Sequence, residues 1–287
     1  MHEINGGGDL TAAVDSRAGG RIVSLASGGR EWLSPSFPLP PGEQRSFVHA
    51  GTGGWDDAIP TVEACSLGDG SALGDHGEVW DREWRIVSSS PRHLSTSIEL
   101  RSLPLRFERL ITATTTGLRL DWRVTTTSPA PVSFLWSAHP LFAAEPDSRI
   151  VVEHPGVVVE EYPERGRVAT IPGSIADLPA GGALKLFASG VSRASVVHAD
   201  SSVLTLTWDA AELPFVGLYL DRGEFTTRPV LAIEPTMAAT DSAARATTLW
   251  TVSAGEEKIW HLDIASSQNS GSTSPSTAMQ GWGSPTA

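Results

Sequence analysis

Three short segments place ionisable side chains where proton chemistry could be done. In Leu231-Ala232-Ile233-Glu234-Pro235-Thr236 a single carboxylate stands in an otherwise apolar run stopped by proline. Burying a carboxylate there is costly, so it needs a partner or a task. In Trp136-Ser137-Ala138-His139-Pro140-Leu141-Phe142 a strand beginning near Pro131 delivers His139 just before a proline that should end the ladder. The third segment is Asp75-His76-Gly77. Carboxylate and imidazole are the two groups most readily tuned to exchange protons near neutral pH, which suits them to general acid–base work. Taken one at a time, each is as open to a structural role.

Other chemistries lack their residues. The chain has no Gly-Lys-Ser/Thr phosphate loop, no Gly-x-Ser-x-Gly elbow and no His-Glu-x-x-His helix motif. Gly68, Gly70 and Gly74 have the wrong spacing for a dinucleotide fingerprint, and no helical pattern follows them. The eight histidines show no tight ligand spacing, so a structural zinc site is not expected.

The elements that must position these groups are strands. Among 287 residues there are 28 glycines and 20 prolines, with only 19% charged, which is a poor composition for helices. Leu118, Leu120, Trp122 and Val124 alternate with Arg119, Asp121 and Arg123, the period of a half-buried strand, and Thr116-Gly117 predicts a hairpin turn back to 107–114. Similar alternation runs through 204–208 and 260–264. Further strands are expected at 20–26, 30–33, 95–101, 131–138, 149–153, 157–161, 183–189, 194–199, 215–221, 230–234 and 247–253. No helical stripe is sustained and no fixed repeat occurs, so the expectation is an all-β protein with few or no helices: one large antiparallel sandwich over 1–264. The Ser, Gly, Thr and Pro-rich tail, 265–287, cannot bury enough apolar surface to order itself. The irregular stretch 34–82, rich in Gly, Asp, Trp and His, reads as functional loop.

Charge and cysteine content limit the partners and the setting. A net charge of −12 argues against nucleic acid and anionic membranes, which need surplus Lys and Arg. Cys65 is the one cysteine and reads as a small buried hydrophobe. Neither a signal peptide nor a spanning segment is evident, so a cytoplasmic protein is expected, with oligomeric state left open. Ten tryptophans against two tyrosines are compatible with sugar stacking, although core packing explains any one of them as well.

Gly20-Arg21-Ile22-Val23-Ser24-Leu25, His76-Gly77, Ser137-Ala138-His139-Pro140-Leu141-Phe142 and Ile233-Glu234-Pro235 together resemble, in order and spacing, the aldose 1-epimerase or galactose mutarotase-like superfamily over residues 10–264. The resemblance implies a β-supersandwich that holds a sugar and interconverts its anomers without a metal or an organic cofactor. Glu234 would be the base that takes the anomeric proton, His139 the acid that protonates the ring oxygen, and His76 a partner for sugar hydroxyls. Read from the residues themselves, Trp55 and Trp80 could stack on a polyol and Asp56 orient it, with Asp209 and Arg82 as further contacts. The sequence departs from galactose mutarotases in lacking a His-Gly-Gly and an Asn-Arg element, so galactose specificity is not inherited. Trp80 stands where phosphate-sugar relatives carry arginine, which favours a neutral hexose, while Arg45, Arg82 and Arg85 keep an anionic sugar open. Alternatives are a non-catalytic sugar binder of the same fold, a hexose-phosphate epimerase-like relative, and a glycoside-active enzyme or lyase pairing Asp56 or Asp57 with Glu234.

Overall fold

A computed structural model describes residues 1–36, 47 and 53–268. They are built from strands and turns, with one 3-10 turn at Ile175–Asp177 and no α-helix among the described residues. Accordingly no helix is long and apolar enough to cross a membrane. The ladders are antiparallel and make two large sheets. The first, of ten strands, runs in space through His2–Asn5, Thr11–Asp15, Arg21–Ser27, Gly54–Ala58, Ser137–Ala143, Val230–Thr236, Phe215–Asp221, Ala183–Ser189 and Val158–Tyr162, with Arg30–Glu31 paired to Arg21–Ser27. The second, of eight, runs through Arg149–Val152, Arg193–Val197, Ser202–Trp208, Glu257–Gln268, Gly117–Thr126, Leu105–Ala113, His93–Glu99 and Arg85–Ser90.

The alternation that marks strands in the sequence is the alternation of burial. Leu118, Leu120, Trp122 and Val124 enter the core from the second sheet while Arg119, Asp121 and Arg123 face outward. Their hairpin partner is Leu105–Ala113, joined through 114–116 as the Thr116-Gly117 signal implies. Between the sheets lies an indole-rich core in which Trp260 stands within 5.0 Å of Trp136 and 6.2 Å of Trp122, ring centre to ring centre. Most of the tryptophan excess goes there.

Two central strands of the first sheet carry His139 and Glu234, and both continue through the prolines expected to end them. Ser137–Ala143 spans Pro140, and Val230–Thr236 spans Pro235. What the prolines interrupt is the pairing between these strands. Ser137 pairs with Thr236 and Phe142 with Leu231, in one continuous register, but residues 138–141 and 232–235 between those pairs form no ladder. Proline has no N–H to donate, so a central strand tolerates it where a ladder is open.

The last strand runs to Gln268, opposite Ser202, and so passes residue 264, where the domain was expected to end. Ladder bonds use the backbone, and Ala265, Ser266 and Ser267 supply it as well as apolar residues do. The rest of the expected tail, from residue 269, lies outside the described residues. Part of the stretch 34–82 is a strand, Gly54–Ala58, wedged between Arg21–Ser27 and Ser137–Ala143. Cys65 is half-buried at the edge of the core.

A buried ion pair ties the sheets together. Arg109 of the second sheet reaches Asp57 of the first at 2.8 Å, with both side chains fully buried. The guanidinium also donates to the Gly20 carbonyl and lies 4.9 Å over Trp84, while Trp136 Nε1 donates to Asp57 at 3.1 Å. Burial pushes the Asp57 carboxyl up to about 6 against the pull of Arg109. Removing one partner strands the other charge in the core, so Arg109→Met should lower the unfolding free energy by about 3–5 kcal/mol in urea titrations at neutral pH. The sign follows from the raised value: without Arg109 the Asp57 carboxyl rises further, so the deficit should grow as pH climbs above about 6 and level off below it, where Asp57 is protonated in both proteins. A loss under about 1 kcal/mol, the range of a surface pair, would contradict the role given to this bridge.

Candidate active site

The site is assembled on the face of the first sheet that points away from the second. Side chains alternate, so Leu231 and Ile233 enter the inter-sheet core while Ala232 and Glu234 face outward, where Ala232 packs with Val230 and Leu141 in a separate cluster. Carried through the open ladder, the register sets His139 opposite Glu234. Asp56 lies on the other side of His139, and Gly217 on the other side of Glu234. The neighbouring row holds Ala232, Tyr219, Lys185 and Tyr162. Over these rows opens a cavity of about 340 Å³, lined among others by His76, His139, Lys185, Tyr219, Glu234 and Asp241, with Tyr162 and Phe225 also on its walls.

Lys185 and Glu234 form a buried ion pair through Nζ and Oε2. They belong to strands that are not neighbours, because Phe215–Asp221 runs between them. The pair closes over Gly217: a Cβ there would lie 3.1 Å from Lys185 Cε and 3.2 Å from Glu234 Oε2. Any larger residue would therefore crowd the ammonium and the carboxylate. Asp241 Oδ1 lies 3.6 Å from the same Nζ. Glu234 Oε1 is buried and has no hydrogen-bond partner. Burial raises the Glu234 carboxyl above its ordinary value, and Lys185 only partly offsets this. For Lys185 burial acts downward, but the anions of Asp241 and Glu234 outweigh it and hold the ammonium above its usual value.

The imidazoles behave differently. His139 is 7% exposed and its Nδ1 is buried without a partner. Burial, with the positive fields of His76, Lys185 and Arg21 added, holds it well below the ordinary histidine range, so the ring is neutral at pH 7. His76 stands edge-on to it at 4.8 Å and stacks on Phe47 at 3.9 Å. The His76 backbone is left-handed, at φ 55°, and its Nδ1 lies 3.0 Å from Asp75 Oδ1 without a directed hydrogen bond. Gly77 fixes this turn, because a Cβ there would come within 2.1 Å of the Ile59 carbonyl oxygen.

Of the residues expected from sequence, Glu234, His139 and His76 converge on the cavity, and the others do not line it. Asp56 shares the row of His139, but its carboxylate is taken by Arg21 at 2.9 Å. Trp55, next in the strand, points the opposite way into the core against Phe142. Trp80 is buried behind Phe47, edge-on at 5.3 Å, and supports the wall without facing a ligand. Arg82 is half-buried beside Glu78, 4.0 Å away. Asp209 follows Ser202–Trp208 on the second sheet, where it closes a turn by accepting the Ala211 N–H. Asp57 is committed to Arg109, so neither aspartate is free to pair with Glu234 as a glycoside-cleaving enzyme would require. Arg85 is exposed on an edge strand, and Arg45 lies outside the described residues.

Lys185, Asp241, Tyr219, Tyr162 and Phe225 were missed. Lys185 had a signal: the chain has only two lysines among 21 basic residues, and this one interrupts the apolar run Ala183-Leu184-Lys185-Leu186-Phe187. The arginines around the cavity are already engaged by its carboxylates. Arg245 binds Glu63 and Glu161 at 2.6 and 2.7 Å, and Arg165 reaches the same two carboxylates at 3.3 and 3.2 Å. Among the described lining residues, five carboxylates face Lys185 and Arg165.

No protein-family model matches the chain, nor does any curated protein. Solved structures do resemble it. A galactose mutarotase-like protein from Lactobacillus casei superposes with a TM-score of 0.72 at 19% identity, over 93% of this chain and 100% of the other. A galactose mutarotase related enzyme from Lactobacillus acidophilus gives 0.72 at 14% identity, over 93% and 97%. An aldose epimerase homologue from C. elegans gives 0.67 at 14% identity, over 93% and 98%. At these identities the likeness is one of fold. The chain has the galactose mutarotase-like β-sandwich that its sequence resemblance implied.

The geometry around His139 makes a direct claim on spectroscopy. Its imidazole ¹⁵N shifts should show no protonation from about pH 8 down to about pH 5.5, the interval in which an unperturbed histidine gains its charge. A midpoint near the ordinary value of about 6.5 would mean that the ring is not desolvated as described.

Proposed function

We propose that the protein is an aldose 1-epimerase that interconverts the α and β anomers of a neutral aldose. The observation that carries the reading is Glu234 Oε1, a buried carboxylate oxygen without a partner that stands in a cavity opposite an imidazole. Burial raises the proton affinity of that carboxylate, as a general base for a hydroxyl requires. In the reaction Glu234 takes the proton from the anomeric hydroxyl, the C1–O5 bond breaks, and a donor on the same floor protonates O5. Rotation about C1–C2 then presents the other face of the aldehyde, and reversal of the transfers closes the ring. His139 is the donor that the family resemblance implies, and His76 is placed to hold sugar hydroxyls. Proton transfer between positioned groups suffices for this chemistry.

The charge of the cavity bears on the substrate. A phosphate or carboxylate would have to compete with five lining carboxylates for Lys185 and Arg165, and Arg165 is already engaged by two of them. A neutral hexose meets no such opposition, and Tyr219, Tyr162 and Phe225 offer it apolar ring surface.

A second reading, a sugar binder without catalysis, draws on the ion pair that already engages Glu234. One experiment separates the two. Purified protein should accelerate anomer exchange of glucose or galactose in NMR saturation transfer, Glu234→Gln should remove about 10²–10⁴-fold of that acceleration, and His139→Asn should reduce it. Saturable sugar binding with unchanged exchange would decide for the binder.

A further inference from the structure

We propose that Lys185 is the group that protonates the ring oxygen, so that its ammonium and the Glu234 carboxylate act as one bifunctional proton-exchange pair. The proposal rests on the epimerase reading and assigns the donor within it.

The first argument is geometric. The two oxygens that must exchange protons, O1 and O5, are bonded to the same carbon and lie side by side. Glu234 and Lys185 are also side by side, joined through Oε2 and Nζ, with Oε1 left without a hydrogen-bond partner. An ammonium has three protons. One is directed at Glu234, Asp241 lies 3.6 Å from the nitrogen, and Lys185 lines the cavity, so a proton remains for a ring oxygen lying against the pair.

The choice of residue points the same way. The chain draws on arginine for 19 of its 21 basic residues, including both buried cations that hold Asp56 and Asp57. Arginine cannot be deprotonated in a protein, whereas lysine can. The buried cation facing the cavity is thus of the type that can give up a proton, while the two that hold Asp56 and Asp57 are not.

The step balances without any further reactant. The O1 proton passes to Oε1, the O1 electron pair becomes the C1=O1 bond, the C1–O5 electrons move to O5, and O5 takes a proton from Nζ. The products are the open-chain aldehyde with its C5 hydroxyl, a protonated Glu234 and a neutral Lys185 amine. Rotation about C1–C2 and reversal of every transfer regenerates the ion pair. The two transfers reinforce each other, because the anions of Glu234 and Asp241 are what hold the ammonium charged against burial. Once Glu234 accepts a proton, its part of that support disappears and desolvation favours the neutral amine. His139, held neutral by its burial, serves as a hydrogen-bonding partner in this scheme.

Substitutions that separate charge from proton donation test the assignment. Lys185→Arg keeps a cation beside Glu234 but has no proton to give, and Lys185→Met removes both. Each should lose at least about 100-fold of the anomer exchange seen by NMR, with sugar affinity in titration less affected for the arginine variant. His139→Gln should lose less of the exchange than either lysine variant. Wild-type protein supplies a readout that needs no variant: its exchange rate should hold from about pH 7 to about pH 9, where a donor that must first become an imidazolium would lose about tenfold per pH unit. Wild-type acceleration that survives in Lys185→Arg, or that falls steadily with rising pH across that interval, overturns this proposal and leaves the epimerase reading standing. Absence of acceleration by the wild type with any aldose overturns both.

Discussion

A carboxylate in the middle of a central strand must be given a counter-charge or a proton, and much of the first sheet is arranged around that demand. Glu234 cannot reach a cation on an adjacent strand, so Lys185 reaches it from two strands away across Gly217. The same demand recurs at Asp56 and Asp57, one residue apart and on opposite faces, met by Arg21 and Arg109. In those two cases the cation is a buried arginine hydrogen-bonded to its carboxylate, which makes the pair a fixed strut. At Glu234 the ion pair takes one oxygen and leaves the other buried without a partner beside the cavity. Similar desolvation thus meets a complete pairing at Asp56 and Asp57 and an incomplete one at Glu234.

The aromatic residues divide along the same line. Indoles fill the space between the sheets, where Trp84, Trp122, Trp136 and Trp260 supply bulk that a large sandwich needs. Around the cavity the aromatic groups are instead Phe47, Tyr162, Tyr219 and Phe225, which present smaller rings beside polar groups. The Phe225 loop is held in place by the buried Asp221, whose carboxylate accepts the N–H groups of Gly223, Glu224 and Phe225. A ring exposed to solvent is thereby set at the edge of the pocket on a firm mount.

The fold was legible because its signal is periodic: the alternation at 118–124 and the absence of any helical stripe decide the class without knowledge of partners. Glu234 and His139 were legible for a different reason, since a lone ionisable residue in an apolar run advertises itself. Lys185 interrupts an apolar run in the same manner, but an ordinary lysine ionises far from neutrality and so does not read as a proton-exchanging group. Trp55, Trp80 and Asp209 misled because composition says nothing about which face of a strand, or which sheet, a residue occupies. Parity along Gly54–Ala58 would have separated Asp56 from Trp55 and Asp57, but only once the strand was recognised inside what read as loop.

The open ladder between the two central strands has a mechanical meaning. Elsewhere in the sheet, moving one strand against its neighbour means parting main-chain hydrogen bonds, which act together and resist shear. Along 138–141 and 232–235 no such pairs join the two strands, which are tied to each other at Ser137 and Phe142 while each stays laddered on its outer side. The spacing between imidazole and carboxylate is therefore set by side-chain packing and by whatever occupies the cavity, and small adjustments there leave the ladder intact. Two prolines give an otherwise stiff floor a compliant line under the place where bonds would be made and broken.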